Sequence, residues 1–219
     1  MSLALISVLL SALGETLLMV LTAGGVGFAL GVPLGVLLFV WHPGRIAPRP
    51  TAHGVLSAAI NALRSVPFII LLVAIIPLTR LLVGTSIGTA AAIVPLAIGA
   101  TPFVARIVEA ALMEVPVGLI EAARAMGATS AQLVWKVLLP EALPAILNGA
   151  TLTLVTLVSY SAVAGAVGGG GLGDLGIRYG YQRFDTGVMI AVVLLLLALV
   201  QGLQSLGAWA VRRIDHRSA

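Results

Sequence analysis

The sequence predicts an all-α integral membrane protein with five transmembrane helices. Hydrophobic residues make up 60% of the 219 residues and charged residues only 9%, whereas soluble domains usually carry about 25% charged residues. Several windows of about 18 residues or more are nearly free of charge, and about 20 apolar residues are enough for one helix to cross a bilayer. The composition therefore indicates a chain whose helices lie in a membrane.

Five apolar windows lie between polar breaks. They cover residues 13–41, 55–79, 87–113, 141–167 and 187–210. An odd number of spans places the two termini on opposite sides of the membrane. Residues 2–40 would form about 58 Å of helix, which is too long for one crossing of a core about 30 Å thick. Met1–Ala12 are therefore expected to form a separate helix on the membrane surface.

Basic residues divide unequally between the two sides that this topology defines. One side carries Arg45, Arg49, Arg124, Lys136, Arg212, Arg213 and Arg217, and the other carries Arg80, Arg178 and Arg183. Positively charged loops tend to stay in the cytoplasm, which predicts an N-terminus outside and a cytoplasmic C-terminus. Arg64 and Arg106 are expected near the cytoplasmic ends of their spans, where long side chains can reach the headgroups.

Several kinds of site are excluded by the same sequence. With no cysteine, the chain has no disulfide, thiolate nucleophile or cysteine-bound metal. His42, His53 and His216 do not cluster at ligand spacing, so no metal site is predicted. Lys136 is the only lysine and lies in no phosphate-binding motif, so ATP hydrolysis would have to occur on another chain. Nucleic-acid binding is not expected, because the basic residues are scattered singly beside apolar spans.

Three further features are assigned structural roles. The stretch GGGGLG at residues 168–173 fits a nucleotide-binding glycine pattern, but no strand precedes it. It is expected to be a flexible external turn that packs closely against neighbouring helices. Glu15 is expected to be interfacial. Arg106 and Glu109 are three residues apart and are expected to pair on one helix face, with a gating role as the alternative.

A polar, glycine-punctuated segment, EAARAMGATSAQLVWKVLLP, interrupts the apolar pattern at residues 121–140. Apolar residues at helical spacing predict a short helix that ends at Gly127, since glycine enters the left-handed C-cap conformation freely. These residues are Leu119, Ile120, Ala123 and Met126. Thr129 and Gln132 have the form of a capping box that begins a second short helix. Pro140 is expected to end that helix and to open the fourth span.

The predicted product is a helix-turn-helix elbow at residues 118–139 on the cytoplasmic surface. Such an elbow could simply pad the headgroup region. Its spacing favours another interpretation: EAA from Glu121, then three residues, Gly127, nine residues, and VLLP ending at Pro140. This closely resembles the E-A-A-x3-G-x9-I-x-L-P signature of ABC importer permeases, with valine in place of isoleucine.

The resemblance extends over about residues 15–210. The stretches RSVPFIILLVAIIPLTR (64–80), VGTSIGTAAAIVPL (83–96), KVLLPEALPAI (136–146) and GGGGLGDLG (168–176) are similar to permeases of methionine importers. The resemblance implies one transmembrane domain over residues 1–219, with the architecture of a type I ABC importer permease in a bacterial inner membrane.

In that family the elbow is a coupling helix that docks on a separate ATPase subunit. The resemblance assigns this coupling to Glu121, Ala122, Ala123, Gly127, Leu139 and Pro140. It also implies a homodimer, two ATPase subunits that bind ATP and Mg²⁺, an extracytoplasmic substrate-binding protein and methionine as the substrate. No cofactor is implied in this chain.

The fourth span carries a stripe of small, hydroxylated and medium-sized apolar residues. Its members include Thr153, Thr156, Tyr160 and Val163, which share one face at helical spacing. Such a stripe is often a helix-packing surface. The alternative is that these four residues line a central path, along which an apolar amino acid could cross without meeting a fixed charge.

Two rival functions remain open. One is the same kind of permease for another amino acid or an osmoprotectant. The other is a secondary transporter driven by an ion gradient, which would place acidic residues deep in the spans. The acidic residues within or next to the first three spans are Glu15, Glu109 and Glu114, all near span ends, and this counts against the second rival.

Overall fold

A computed structural model describes residues 3–214, and within that range the chain forms helices and no strands. The α-helices, in chain order, are α1 (Leu3–Trp41), α2 (Pro50–Ser65), α3 (Phe68–Ala74), α4 (Ile76–Val83), α5 (Thr89–Met113), α6 (Val117–Ala125), α7 (Ser130–Gln132), α8 (Leu139–Ala164), α9 (Gly171–Leu175) and α10 (Thr186–Ile214). Wider, π-helical turns form at Leu133–Leu138 and Gly176–Tyr181. The segment Gly165–Gly169 is a kinked turn, in which Gly168 has a φ of +92°. The predicted all-α class is confirmed.

Among the described residues, four helical stretches are long and apolar enough to cross a membrane, and the bent pair of α2 and α3 passes the same test when its two helices are taken together. The four stretches are Leu5–Trp41, Thr89–Met113, Ser130–Gly169 and Thr186–Ile214. The predicted number of spans therefore agrees with the structure when the bent pair is taken as one span.

The stretch predicted as the second span, residues 55–79, is not one continuous helix. α2 ends at Ser65, and α3 leaves it at an angle of 101°. Val66 is extended, with φ −80° and ψ 124°, because the ring of Pro67 disfavours the helical conformation in the residue before it. Pro77 lies in the first turn of α4, where its missing N–H costs no hydrogen bond. The prolines thus divide this apolar stretch into three short helices.

The first helix is continuous, so the predicted break between a surface helix at residues 1–12 and a span at 13–41 is absent. Met1 and Ser2 lie outside the described residues. Leu9 and Ala12 belong to one buried cluster with Leu172, Leu175, Val188 and Val192 of α9 and α10. Because Leu9 and Ala12 are buried within the chain itself, the early turns of α1 extend the span and support these helices.

The centre of the bundle is the contact between α1 and α5. Gly27, Gly31 and Gly35 are spaced four residues apart on α1 and face α5. A Cβ added at Gly31 would come within 2.6 Å of Val104 Cβ, and one at Gly35 would come within 2.5 Å of the Ala105 carbonyl oxygen. Such small residues let two helix backbones approach closely, and this packing drives helix association in membranes.

The bundle has two ends, which we call the elbow end and the far end. At the elbow end, the Arg124 guanidinium donates to the Ile46 carbonyl at 3.2 Å, which joins the loop at residues 42–49 to α6. At the far end, the Gly88 N–H donates to the Gly168 carbonyl at 2.8 Å. This bond joins the start of α5 to the turn after α8.

Basic residues gather at the elbow end. Gly207 of α10 lies against Thr151 of α8, whereas Val193 lies near Ala162, so α10 runs antiparallel to α8 and finishes at the elbow end. The elbow end carries Arg45, Arg49, Arg124, Lys136, Arg212 and Arg213, and the far end carries Arg80, Arg178 and Arg183. Arg217 and His216 lie outside the described residues.

Candidate coupling elbow and transport face

The elbow begins with α6, which ends in a glycine turn. Gly127 has a φ of +83°, in the left-handed region that glycine enters without a Cβ clash. The Gly127 N–H donates to the Arg124 carbonyl at 2.9 Å, and the Ala128 N–H donates to the Ala123 carbonyl at 3.1 Å. These two bonds form a Schellman motif, so the predicted helix stop at Gly127 is confirmed.

A capping box begins the next helix, as predicted. Thr129 Oγ1 accepts the Gln132 N–H at 3.3 Å, and the Thr129 N–H donates to Gln132 Oε1 at 2.9 Å. The predicted helix end at Pro140 is wrong, because α7 continues through the π-helical turn Leu133–Leu138 into α8. A proline ring clashes with the carbonyl four residues earlier in a regular α-helix, and the wider π-helical turn relieves that clash. The second arm of the elbow and the fourth span are therefore one helical body.

The six predicted coupling residues do not all face outwards. Glu121, Ala122, Gly127 and Pro140 are exposed, and Leu139 is half-buried. Ala123 is only 5% exposed and belongs to one buried cluster with Ile120, Leu133, Val134 and Leu138. Ala123 therefore holds α6 against the base of α8, and this side chain is not available to a partner.

Sequence reasoning missed two large apolar residues on the outside of the elbow. The Met126 side chain is 83% exposed and the Trp135 side chain is 71% exposed. Met126 was expected on the inner, apolar side of the first short helix, but it is the last residue before the Gly127 turn and points outwards. Met126 directly precedes the predicted stop at Gly127 and Trp135 directly precedes Lys136, and exposed large apolar residues mark contact surfaces.

The elbow also shares a recess with the loop at residues 42–49. The recess is lined by Gly44, Arg45, Ile46, Val117, Ile120, Glu121 and Arg124. Together with the bond from Arg124 to the Ile46 carbonyl, the shared recess fixes the exposed elbow residues relative to the end of α1. No local pattern indicates this contact, since the loop and the elbow are far apart along the chain.

Some residues of the stripe on the fourth span are packed inside the bundle, and others lie at its surface. Thr153 is 2% exposed, and its hydroxyl donates to the Gly149 carbonyl at 2.8 Å. Thr156 is half-buried and donates to the Leu152 carbonyl, while Val163 is 36% exposed. Thr153 thus occupies a packed position, whereas Thr156, Tyr160 and Val163 reach the surface of the single chain.

Tyr160 is the member of the stripe with the most distinctive contact. Its ring stacks on the ring of Phe68, with centroids 4.4 Å apart and planes 1° from parallel. Phe68 begins α3, immediately after the bend of the second span. The stack therefore joins the fourth span to the corner of the second.

The predicted pair of Arg106 and Glu109 is confirmed, at 2.6 Å from Arg106 Nη1 to Glu109 Oε2. The sequence did not predict its other partners. Arg106 Nη2 lies 2.6 Å from Ser57 Oγ and 2.9 Å from Asn61 Oδ1, both on α2. His53 Nε2 lies 3.6 Å from Glu109 Oε1. The cluster therefore ties α2 to α5 at the elbow end.

Glu15 caps a helix at the far end, so the expectation that it is merely interfacial is wrong. Glu15 Oε2 accepts the Gly171 N–H at 2.7 Å, and Thr16 Oγ1 accepts the Leu172 N–H at 2.9 Å. These are N–H groups of the first turn of α9, which have no helical acceptor of their own.

The glycine-rich stretch is a packed turn and a short helix. Its predicted close packing is confirmed, because a Cβ at Gly173 would come within 2.4 Å of Ala162 Cα. The stretch differs from the flexible external turn that was predicted, because Gly169, Gly171, Leu172 and Leu175 are buried. The glycines allow α9 to lie directly on α8 and on α1.

Comparison with known proteins gives both a family and a fold. Residues 31–216 match the family model of the binding-protein-dependent transport system inner membrane component. A probable D-methionine transport system permease protein MetI of Vibrio cholerae is 60% identical over 209 residues, which cover 95% of this chain and 93% of that protein. The D-methionine transport system permease protein MetI of Escherichia coli is 60% identical over 151 residues, which cover 69% of this chain and 70% of that protein.

Solved structures agree with the sequence comparison. An inward-facing structure of the MetNI methionine ABC transporter matches with a TM-score of 0.97 and 54% identity, over 99% of this chain and 100% of that chain. An amino acid ABC transporter crystallised with histidines shares the fold alone, with a TM-score of 0.78 and 22% identity over 95% of this chain and 94% of that chain. The chain belongs to the family of binding-protein-dependent transport system inner membrane components.

Proposed function

We propose that this chain is the membrane-spanning subunit of an ATP-driven methionine importer. Two copies would work with two ATPase subunits, which bind ATP and Mg²⁺, and with an extracytoplasmic substrate-binding protein. The observation that carries the proposal is the elbow, an exposed short helix set at a fixed angle on the helical body of the fourth span. Methionine is supported by the names of the relatives and by the MetNI transporter, to which the chain is similar.

The elbow is built to transmit movement. Ile120 and Ala123 of α6 share a buried cluster with Leu133 and Leu138, at the base of the fourth span. The Schellman motif and the capping box fix the turn between the two arms. A displacement of α6 by a partner therefore moves the base of α8, because close-packed side chains pass on displacement and do not absorb it.

The exposed residues of the elbow would contact the ATPase subunit. Glu121 offers a carboxylate for a charge-assisted hydrogen bond, and Ala122 permits close approach of another backbone. Met126 and Trp135 offer apolar surface of the type that is enriched in the centres of protein interfaces. Gly127 sets the angle at which these groups are presented.

The proposed orientation follows from the basic residues. The elbow end carries six of the basic residues counted above and the far end carries three. Loops rich in Lys and Arg stay in the cytoplasm, so the elbow would face the cytoplasm, where the ATPase subunits lie. The N-terminus would then be outside and the C-terminus cytoplasmic.

The transport path would run between two copies of the chain. Closed symmetric assemblies are the usual form of soluble oligomers, and five spans are few for a path within one chain. In the most apolar window of α10, only 11% of the residues are buried, which leaves surface for a second copy and for lipid. On the fourth span, Thr156, Tyr160 and Val163 are the candidates that line the path, while the buried Thr153 supports them from behind.

Co-purification tests the coupling elbow. A tagged chain, expressed together with the proposed ATPase subunit, should retain that subunit through detergent purification. Glu121→Lys should release the ATPase, because it reverses the charge at the centre of the proposed contact. Gln182→Lys adds a positive charge at an exposed far-end position and should release none. Retention of the ATPase by Glu121→Lys would contradict the proposed docking.

Uptake into proteoliposomes tests the substrate. Vesicles that contain this chain, the ATPase and the binding protein should accumulate methionine only when ATP is supplied to the ATPase side. Accumulation of an osmoprotectant or of another amino acid in preference to methionine would assign the same machine to a different solute. Uphill uptake without any ATPase would instead support a secondary transporter.

A further inference from the structure

The far end of the bundle carries a short exposed turn that neither the coupling elbow nor the transport face uses. We call residues 181–185 the far-end turn, and they join the end of the π-helical turn Gly176–Tyr181 to the start of α10. Every residue of the far-end turn is exposed. The Tyr181 side chain is 66% exposed and the Phe184 side chain is 83% exposed. Two large aromatic side chains thus project from one turn, largely outside the packed helices.

The backbone of Phe184 is strained. Among residues 3–214, Phe184 is the one non-glycine residue with a positive φ, at +56°, which is unfavourable for a bulky side chain. Its neighbours hold it there, because the Phe184 N–H donates to the Tyr181 carbonyl at 3.4 Å and the Asp185 N–H donates to the Tyr179 carbonyl at 3.1 Å. Strained residues that are fixed by their surroundings cluster at functional sites.

The base of the far-end turn is fixed on α10. A Cβ at Gly180 would come within 3.2 Å of Met189 Cα, so the segment before the turn lies directly against the helix after it. Asp185 Oδ1 accepts the Val188 N–H at 3.0 Å, which caps the first turn of α10. Val188 is buried with Leu172 in the cluster that joins α1, α9 and α10. The far-end turn therefore holds its two exposed rings in place before any partner binds.

An exposed cation lies in the same turn. The Arg183 guanidinium carbon lies 4.4 Å from the Tyr179 ring centroid, and within residues 3–214 this arginine belongs to no ion pair. The aspartates at this end already have partners, since Asp174 pairs with Arg178 and Asp185 caps α10. The Arg183 guanidinium is therefore able to receive a carboxylate from another protein.

This combination of side chains is typical of a protein interface. Aromatic residues and arginine are enriched in interface centres, and tyrosine and arginine are among the residues that carry most of the binding energy. Their fixed presentation lowers the ordering cost of binding. The far-end turn lies opposite the elbow, and the chain belongs to a family of binding-protein-dependent transport systems. A protein that delivers the solute has to reach the end opposite the ATPase, where this turn is exposed.

We propose that the far-end turn is a docking site for the extracytoplasmic substrate-binding protein, with Phe184 and Tyr181 in an apolar pocket of that protein and Arg183 opposite one of its carboxylates. This inference rests on the proposed function, which places the far end outside. The turn follows α9 along the chain, and α9 lies directly on α8, where a Cβ at Gly173 would come within 2.4 Å of Ala162 Cα. Docking therefore acts on a segment in contact with the fourth span, whose other end continues into the elbow.

Binding to the assembled complex tests the aromatic part of the surface. The chain is purified with its proposed ATPase, and the dissociation constant of the proposed binding protein is measured. Phe184→Gly removes the ring but suits a φ of +56°, so its unfolding temperature should not fall, while binding should weaken about tenfold or more. Phe184→Tyr keeps a ring and should bind nearly as well as the wild type. Ile190→Ala shortens an exposed side chain of α10 and is the matched control, with unchanged affinity.

Reversing the charge of Arg183 tests the polar part. Arg183→Glu should weaken binding, and its affinity should depend less on salt than that of the wild type, because an attraction between opposite charges is screened by salt. Wild-type affinity in Phe184→Gly would overturn the proposal and leave the rings to the lipid headgroups. Wild-type affinity in Arg183→Glu would overturn it too, and this comparison decides the matter even if Phe184→Gly fails to assemble.

Methionine uptake separates the docking site from the proposed function. ATP-driven uptake in vesicles that hold the chain, the ATPase and the binding protein, combined with wild-type affinity in both variants, would overturn the docking site alone. Failure of that uptake in the wild type would overturn the proposed function. A wild-type complex that does not bind the binding protein at all would overturn the docking site together with the proposed partner.

Discussion

The Glu15 carboxylate accepts the Gly171 N–H at 2.7 Å and so joins α1 to α9 across 156 positions of sequence. The neighbouring Thr16 hydroxyl makes the equivalent bond to the Leu172 N–H. A polar pair on the first helix therefore supplies the acceptors that a short, glycine-flanked helix cannot supply for itself. This contact gives the first helix a role in ordering the far end of the bundle.

Removing the Glu15 acceptor should destabilise the chain. Glu15→Leu leaves the buried Gly171 N–H without a partner, which should lower the free energy of unfolding by about 1–3 kcal/mol. Glu15→Gln keeps a carbonyl oxygen in the same position and should recover a large part of that loss. Thermal unfolding of the detergent-purified protein measures both, and a Glu15→Leu protein as stable as the wild type would be inconsistent with the cap.

The contact between α1 and α5 should not tolerate a side chain at Gly31. Leucine there would drive a Cβ to within 2.6 Å of Val104 Cβ, and the resulting separation of the helices should cost about 2 kcal/mol or more. At Gly25 an added Cβ would have no neighbouring atom within 4 Å, so Gly25→Leu is the matched control on the same helix. We expect a lower unfolding temperature for Gly31→Leu and little change for Gly25→Leu; equal effects would argue against close helix packing.

The angle of the elbow should depend on Gly127. Alanine would have to adopt a φ of +83°, at a cost of about 1–2 kcal/mol for a residue with a Cβ. We expect Gly127→Ala to weaken retention of the ATPase in co-purification while the chain still inserts in the membrane. Gly118→Ala, in the regular part of α6 with no atom near its Cβ position, should be neutral. Full retention of the ATPase by Gly127→Ala would show that the turn geometry does not matter for docking.

Arg106 and Glu109 should behave as a coupled pair. Arg106→Met alone leaves Glu109, which is 8% exposed, without its arginine and should cost about 3–5 kcal/mol. The double variant Arg106→Met with Glu109→Leu buries no unpaired charge and should be more stable than Arg106→Met. Chemical denaturation of the wild type, both single variants and the double variant gives the coupling energy. Additive losses would mean that the two residues act independently.

The features predicted from the sequence are those set by short-range physics. The turn at Gly127 and the capping box of Thr129 and Gln132 form between residues a few positions apart, so local spacing contains the information that they need. The pairing of Arg106 with Glu109 lies within one turn of one helix and was predictable for the same reason. The partners of that pair on α2 were not predictable, because nothing in the spacing of Ser57 and Asn61 relates them to a distant helix.

The sequence by itself determined an all-α membrane protein with five spans and an elbow, because long apolar runs and turn-forming residues act locally. Only the tertiary structure decided that Ala123 faces inwards, that Glu15 caps α9, and that the second span bends by 101°. It also decided that the Arg64 guanidinium lies over the ring of Phe103, on another helix. Each of these depends on which helices contact each other. Close packing between segments far apart in the chain decides those contacts, and the residue pattern of one segment does not identify the segment on which it packs.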